Sequence, residues 1–117
     1  MISKYKGDYG EKLAARELIK KGYAIREKNY HTRMGEIDII AEKDNTVVFV
    51  EVKLRKDTKY GLPCEAVDLR KQKKIIETAK DYIQKNDLYN KNFRFDVIEI
   101  LIQEKILMRQ TENAFGE

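Results

Sequence analysis

Thr46-Val47-Val48-Phe49-Val50-Glu51-Val52-Lys53-Leu54 is the most strongly patterned stretch of this chain. β-branched and aromatic residues dominate it, and such residues favour extended backbone. The stretch predicts a strand over 46–54. Just before it, Lys43-Asp44-Asn45 has turn chemistry. Before that turn, Glu36-Ile37-Asp38-Ile39-Ile40-Ala41 predicts a second strand. Two strands with so short a connection form a hairpin.

The same elements carry acids where apolar residues are expected. Side chains alternate faces along a strand, so Glu51 and Lys53 share one face and Val50 and Val52 take the other. Glu36 and Asp38 are expected to share a face likewise. In the simplest hairpin register, Asp38 falls beside Glu51 and Lys53.

Working outward, residues 8–21 predict a helix, with Ala14, Ala15, Leu18 and Ile19 at helical spacing. Asp8 has the character of an N-cap, with Glu11 as its capping-box partner. Gly22 after Lys20 and Lys21 marks the helix end. Tyr23 to Asn29 is a weakly patterned strand. Beyond the hairpin, residues 56–63 read as a loop containing Gly61 and the only proline, Pro63. Residues 66–85 predict a second helix, with Leu69, Gln72, Ile76, Ala79 and Ile83 on one stripe and Ile75 and Tyr82 beside it. A polar turn over 86–92 leads to strands at 93–102 and 105–110. The order α-β-β-β-α-β-β indicates an α/β or α+β sheet covered on its faces. At 117 residues, with no repeat or low-complexity tract, the expectation is one domain over 1–117.

Composition narrows the chemistry. Charged residues make up 38% and the formal net charge is +4, with a pI near 9.1. There is one histidine (His31), one cysteine (Cys64) and one serine (Ser3). A lone cysteine forms no internal disulfide and suits a reducing compartment. One Cys and one His cannot make a Cys/His zinc site. A Ser–His–Asp triad would have to combine Ser3 with His31, and a Cys–His pair Cys64 with His31. Carboxylates, lysines and a hard cation bound through oxygen are the chemistry that remains. No segment reaches the ~18 apolar residues of a membrane helix. No apolar stretch follows the basic N-terminus as in a signal peptide. A cytoplasmic protein is expected.

Two carboxylates at the edge of a core are costly to bury without compensation. A divalent cation supplies it: Asp38, Glu51 and the backbone carbonyl of Val52 offer oxygen ligands for Mg²⁺, with water completing the shell. Such an ion eases deprotonation of water for attack on a phosphodiester. Lys53 would face the same site, orienting the water or stabilising charge on phosphorus. The plainer alternative is a solvated strand face for Glu51 and Lys53 and a hairpin-edge charge for Asp38. Glu11 either points over the sheet toward the acidic pair or caps its helix. Arg70, Lys71, Lys73 and Lys74 put four basic side chains in five residues, suited to a phosphate backbone or to a solvated helix face. Tyr5, Tyr9, Tyr30 and Tyr60 can stack on bases or simply pack.

Asp38, then Glu51-Val52-Lys53 thirteen residues on, resembles the D…(D/E)-x-K signature of the restriction-endonuclease-like nucleases. Within that superfamily the chain is similar to the bacterial YraN family of predicted endonucleases, distant relatives of archaeal Holliday junction resolvases. Matching pieces are Gly10-Glu11 with Ala14, Gly22-Tyr23, Asn29, Gly35 to Ala41, and Val48 to Lys53 followed by Arg55. They continue through Gly61 with Pro63, Glu65-Ala66-Val67, Lys71 with Ile75 and Ala79, Arg94-Phe95-Asp96-Val97, and Asn113-Ala114-Phe115. Ile37 stands where the wider signature often has proline. The resemblance implies a mixed sheet flanked by helices and a Mg²⁺ or Mn²⁺ site. Asp38 and Glu51 match the metal-binding acids, Lys53 the catalytic lysine, and Glu11 the first-helix acid of the resolvase branch. Asp96 either joins the acids or pairs with Arg94.

The expectation is therefore a metal-dependent endonuclease acting on DNA, including branched or structured DNA. Lys53, Glu11, Asp38 and Glu51 would form the catalytic set. Arg55, Arg70, Lys71, Lys73 and Lys74 would hold the nucleic acid. A homodimer suits cutting of two strands. The alternatives are a non-catalytic module on a nuclease fold that binds nucleic acid or protein, and RNA processing.

Overall fold

The computed structural model describes residues 2–55 and 67–116, with side chains from Tyr9 onward. The order is α1 (Ile2–Lys20), β1 (Ala24–Thr32), β2 (Gly35–Lys43), β3 (Thr46–Arg55), α2 (Leu69–Lys85), β4 (Asn92–Ile102) and β5 (Ile106–Phe115). The strands form one sheet in sequence order. Neighbours are antiparallel except β3 and β4, which run parallel. Parallel neighbours need a crossover, and α2 lies within it. This is the expected mixed α/β sheet with helices on its two faces. Residues 56–63, Cys64, Tyr60 and the start of the expected second helix lie outside the described residues.

The hairpin turn explains the β2–β3 register. Asp44 and Asn45 both have positive φ, 50° and 63°. Two such residues form the type I′ turn that matches strand twist. Lys43 then pairs with Thr46, and the ladder runs to Ile39 opposite Val50.

Two apolar layers follow from alternation. On one face Ile39, Ala41, Val48, Val50, Ile98 and Ile100 pack against Ala14, Ala15 and Leu18 of α1. On the other, Ile37, Ile40, Val47, Phe49 and Val97 pack against Ile75, Ala79 and Tyr82 of α2. Each layer buries about ten apolar side chains, each stabilising by roughly 1.5–3 kcal/mol before entropy is subtracted.

The helices differ from expectation in instructive ways. α1 begins at Ile2, so Asp8 is interior to the helix rather than its N-cap, and Glu11 is no capping-box partner. Ile19 is exposed rather than in the stripe. The C-terminus is as read: Gly22 at φ 96° lets its N–H reach Ile19 O at 3.0 Å while the Tyr23 N–H reaches Leu18 O at 2.9 Å. In α2, Asp68 caps by accepting the Lys71 N–H at 2.8 Å. The buried stripe is Ile75, Ile76, Thr78, Ala79 and Tyr82, rotated from the expected one so that Leu69 is 80% exposed. The turn after α2 closes with the Leu88 N–H on Ile83 O, and Leu88 is buried rather than part of a polar link. β5 runs to Phe115, five residues past its expected end, because Phe115 stacks on Phe95. Among the described residues, no helix is long and apolar enough to cross a membrane.

Candidate metal and nucleic-acid site

The site begins where the β2–β3 ladder stops. Beyond Ile39 and Val50 the next facing positions are Asp38 and Glu51. Here backbone pairing gives way to a side chain: Asp38 Oδ2 accepts the Val52 N–H at 2.8 Å. Alternation breaks at the same place, since Ile37 and Ile40, three apart, both belong to the α2-side core. Glu36 meets His31 on β1 at 2.7 Å and lines a groove with Lys71 and Lys74 of α2.

β3 keeps its alternation. Val48, Val50, Val52 and Leu54 lie toward α1, while Val47 and Phe49 lie toward α2. Glu51 and Lys53 continue the α2 face past the apolar core. Glu51 is only 5% exposed. Lys71, in the first turn of α2, reaches in and sets its Nζ 2.8 Å from Glu51 Oε2.

Charges in this cluster are strongly coupled. Burial, then the hydrogen bond and charge of Asp38, push the Glu51 carboxyl up to about 8 against the opposing pull of Lys71. Lys53 is held below its ordinary value, by burial first and then by the neighbouring Lys71 charge. Lys71 also suffers burial, but its hydrogen bond to Glu51 and the charges of Glu51 and Asp38 outweigh this and raise it. Two carboxylates and two ammonium groups thus form a compact, half-buried set.

The donor chemistry fits a hard divalent ion. Among the described residues no three His, Cys, Asp or Glu side chains gather, so no all-protein cage exists. Mg²⁺ does not need one, because it keeps several waters and binds through one or two carboxylates. Asp38 and Glu51 supply two, with one oxygen of Asp38 still free of the Val52 bond. The N–H and C=O of a strand residue leave on the same side. The Val52 carbonyl therefore points toward β2, where the ladder has ended. A buried carboxyl held this far above its normal range is one that an added cation would stabilise as the anion.

The basic residues divide. Arg70, Lys71 and Lys74 line an open groove of about 490 Å³ with Gly35, Glu36, Asp68 and Ile75. Lys71 belongs to both the groove and the acidic cluster. Lys73 is exposed on α2 outside that lining. Arg55 is drawn elsewhere: it forms an ion pair with the buried Glu99, with its own side chain only 14% exposed. Arg109 reaches the same carboxylate at 2.8 Å.

Glu11 sits on the helix covering the opposite face. Its carboxylate accepts from Asn29 Nδ2 at 3.0 Å. Asn29 falls between the pairs Lys28–Ile39 and Tyr30–Ile37, hence across from Asp38. Glu11 thus reaches the level of Asp38 through β1 but is not placed beside Glu51. Asp96 takes the structural alternative. Fully buried on the α1 side, it accepts from Arg94 Nε at 2.9 Å, Gln110 Nε2 at 2.9 Å and the Asn113 N–H at 2.9 Å. Tyr30 packs edge-on against Tyr82 and donates to Asp81 at 2.8 Å, while Tyr9 is exposed.

Three relationships escaped the sequence reading: Lys71 on Glu51, the side-chain cap of Asp38 on Val52, and Glu99 between two arginines. Glu99 had a visible signal, an acid inside Val97-Ile98-Glu99-Ile100 on the face of its register partner Lys53. The other two depend on how α2 and the ladder end are seated, which local spacing does not encode.

Comparison with known proteins supplies the remaining evidence. The model of the uncharacterised protein family UPF0102 matches residues 10–100. A UPF0102 protein of Clostridioides difficile (strain 630) is 53% identical, covering 98% of this chain and 100% of its own. A UPF0102 protein of Clostridium acetobutylicum is 49% identical over 97% of this chain and 96% of its own. One from Caldanaerobacter subterraneus is 47% identical over 93% of each. The matched span holds the hairpin, the acidic cluster and α2 together, and the chain belongs to the UPF0102 family, the YraN family that its motifs resemble.

Proposed function

We propose that this chain is a metal-dependent endonuclease that hydrolyses phosphodiester bonds in DNA, branched or structured DNA included. The observation that carries the reading is the contact set at the end of the β2–β3 ladder. Asp38 is fixed on the Val52 N–H, the buried Glu51 lies against it, and Lys53 stands on the same face. A basic groove opens beside them.

In this reading Asp38, Glu51 and the Val52 carbonyl hold Mg²⁺ or Mn²⁺. When bound, the ion supplies Lewis acidity toward phosphoryl oxygen and makes water more acidic. Lys53, held below its usual ammonium range, orients the attacking water or steadies charge on the phosphoryl oxygens. Arg70, Lys71, Lys73 and Lys74 hold the phosphate backbone, with Arg55 anchoring the end of β3 through Glu99. Glu11 acts as a positioning residue through Asn29. A cytoplasmic homodimer would present two such sites to a two-fold substrate.

The competing reading is a binding module that uses the groove without cleavage. One observation favours it: the Lys71 ammonium already lies 2.8 Å from Glu51 Oε2, so that carboxyl has a cationic partner without a metal ion. A cleavage assay separates the two. Linear duplex, single-stranded, flapped and four-way DNA would be incubated with Mg²⁺ or Mn²⁺, beside Asp38→Asn and Lys53→Ala and an RNA control. Metal-dependent cutting that both substitutions abolish supports the nuclease. Binding without cutting under every condition gives the answer to the module. Cutting of RNA alone moves the substrate class.

A further inference from the structure

Taking Asp38 and Glu51 as the metal-holding pair proposed above, we infer that Lys71 is a displaceable internal counter-ion: it occupies the cation position on Glu51 until a divalent ion takes it, and then moves into the basic groove. The geometry gives three reasons. First, the Lys71 ammonium lies 2.8 Å from Glu51 Oε2, one of the two carboxylate oxygens that Glu51 can offer an incoming cation. Two cations cannot share that oxygen at contact distance without strong repulsion.

Second, the two partners are unequally held. Glu51 is on a central strand and 5% exposed, whereas the Lys71 side chain is 41% exposed. Its backbone is anchored, since its N–H is bonded to the cap Asp68 at 2.8 Å. Displacement therefore needs only rotation of the lysine stem, with α2 in place.

Third, a destination is present. Lys71 lines the groove with Arg70 and Lys74, whereas Glu51 is not part of that lining. Once a divalent ion sits on Asp38 and Glu51, the ammonium groups of Lys53 and Lys71 both repel it, and the cheapest relief is to move the more exposed one outward. There it would stand with Arg70 and Lys74, where it could pair with a phosphate. Lys71 would then be a positioning residue that exchanges a protein carboxylate for nucleic-acid phosphate when metal arrives.

The test is Mn²⁺ titration calorimetry on the full chain, with Lys71→Met, Lys71→Gln, Lys74→Met and Glu51→Gln beside the wild type. Both Lys71 substitutions should tighten Mn²⁺ binding, by about tenfold for loss of one competing half-buried charge. Lys74→Met, in the groove but off Glu51, should leave it within about twofold. A merely structural lysine would do the reverse, weakening metal binding as the site loosened. Circular dichroism would confirm folding, and the glutamine variant keeps the test valid if methionine perturbs packing. Equal or weaker Mn²⁺ affinity in both folded Lys71 variants overturns the displacement while leaving the metal site intact. Mn²⁺ binding that survives Glu51→Gln, or no binding by any protein, defeats the metal-site reading itself.

Discussion

The Asp38 carboxylate accepts the Val52 N–H at 2.8 Å, so a side chain closes the β2–β3 ladder where backbone pairing ends. That bond fixes one oxygen and leaves the other outside it. Asp38→Asn retains an acceptor for Val52, and should preserve the fold while removing most Mn²⁺ affinity. Asp38→Ala loses the bond as well and should cost about 1–2 kcal/mol more in stability. Thermal melts and Mn²⁺ titration of both variants separate these roles.

Lys53 is expected to matter for turnover more than for binding. Lys53→Ala should lower single-turnover cleavage by about 10²-fold or more, with DNA affinity changed only a few-fold. Quench-flow rates at saturating Mg²⁺, beside anisotropy in Ca²⁺, check both halves.

The groove residues should act through charge. The double substitution Arg70→Ala, Lys74→Ala should weaken duplex binding and reduce the slope of log K against log salt by about 2, one per lost phosphate contact. Binding isotherms between low and moderate KCl measure it. An unchanged slope removes these residues from the interface.

Asp96 should be structural only. Asp96→Asn breaks the pair between the fully buried Asp96 and the partly buried Arg94 and weakens the grip on Asn113, at a cost of about 3 kcal/mol. Mn²⁺ affinity of the folded fraction should not move, because Asp96 lies on the α1 side. Urea titration gives the first value and calorimetry the second.

Glu42 links stability to pH. Hydrogen bonds from Lys91 and Arg26, both at 2.6 Å, hold its carboxyl below the ordinary 4.5 despite partial burial. A lowered folded value means the stabilisation is complete above that ordinary value and is lost as pH falls through the folded one. Glu42→Gln should therefore cost about 1 kcal/mol at neutral pH, with the gap to wild type closing below pH 4.5. Parallel melts between pH 3 and 7 would trace it, on the scale of roughly one pKa unit per 1.4 kcal/mol.

The element order was readable because its signals are local. The paired positive-φ residues Asp44 and Asn45 set the hairpin register, and this alone brings Asp38 opposite Glu51. Lys53 follows from alternation. Lys71 could be read as basic but not as the partner of Glu51, since that depends on where the β3-to-α2 connection seats the helix. The capping alternative for Glu11 fails for a similar reason. A carboxylate three residues after Asp8 looks like a cap, and only the helix start at Ile2 shows that it lies mid-helix, on Asn29. The observed α2 stripe is rotated from the expected one because Leu69 counts as apolar in any pattern, yet at the first turn of the helix it is exposed.

Each outer strand of the described sheet contains one left-handed asparagine, Asn29 in β1 at φ 52° and Asn113 in β5 at φ 53°. β1 is further irregular around Arg26, and β5 bulges opposite Asp96, whose carboxylate holds the kink. These irregularities interrupt both described margins, which disfavours the addition of a further strand there. The protein should stay monodisperse at concentrations where a flat-edged sheet would polymerise. Any self-association would have to use faces and helices instead of extending the sheet.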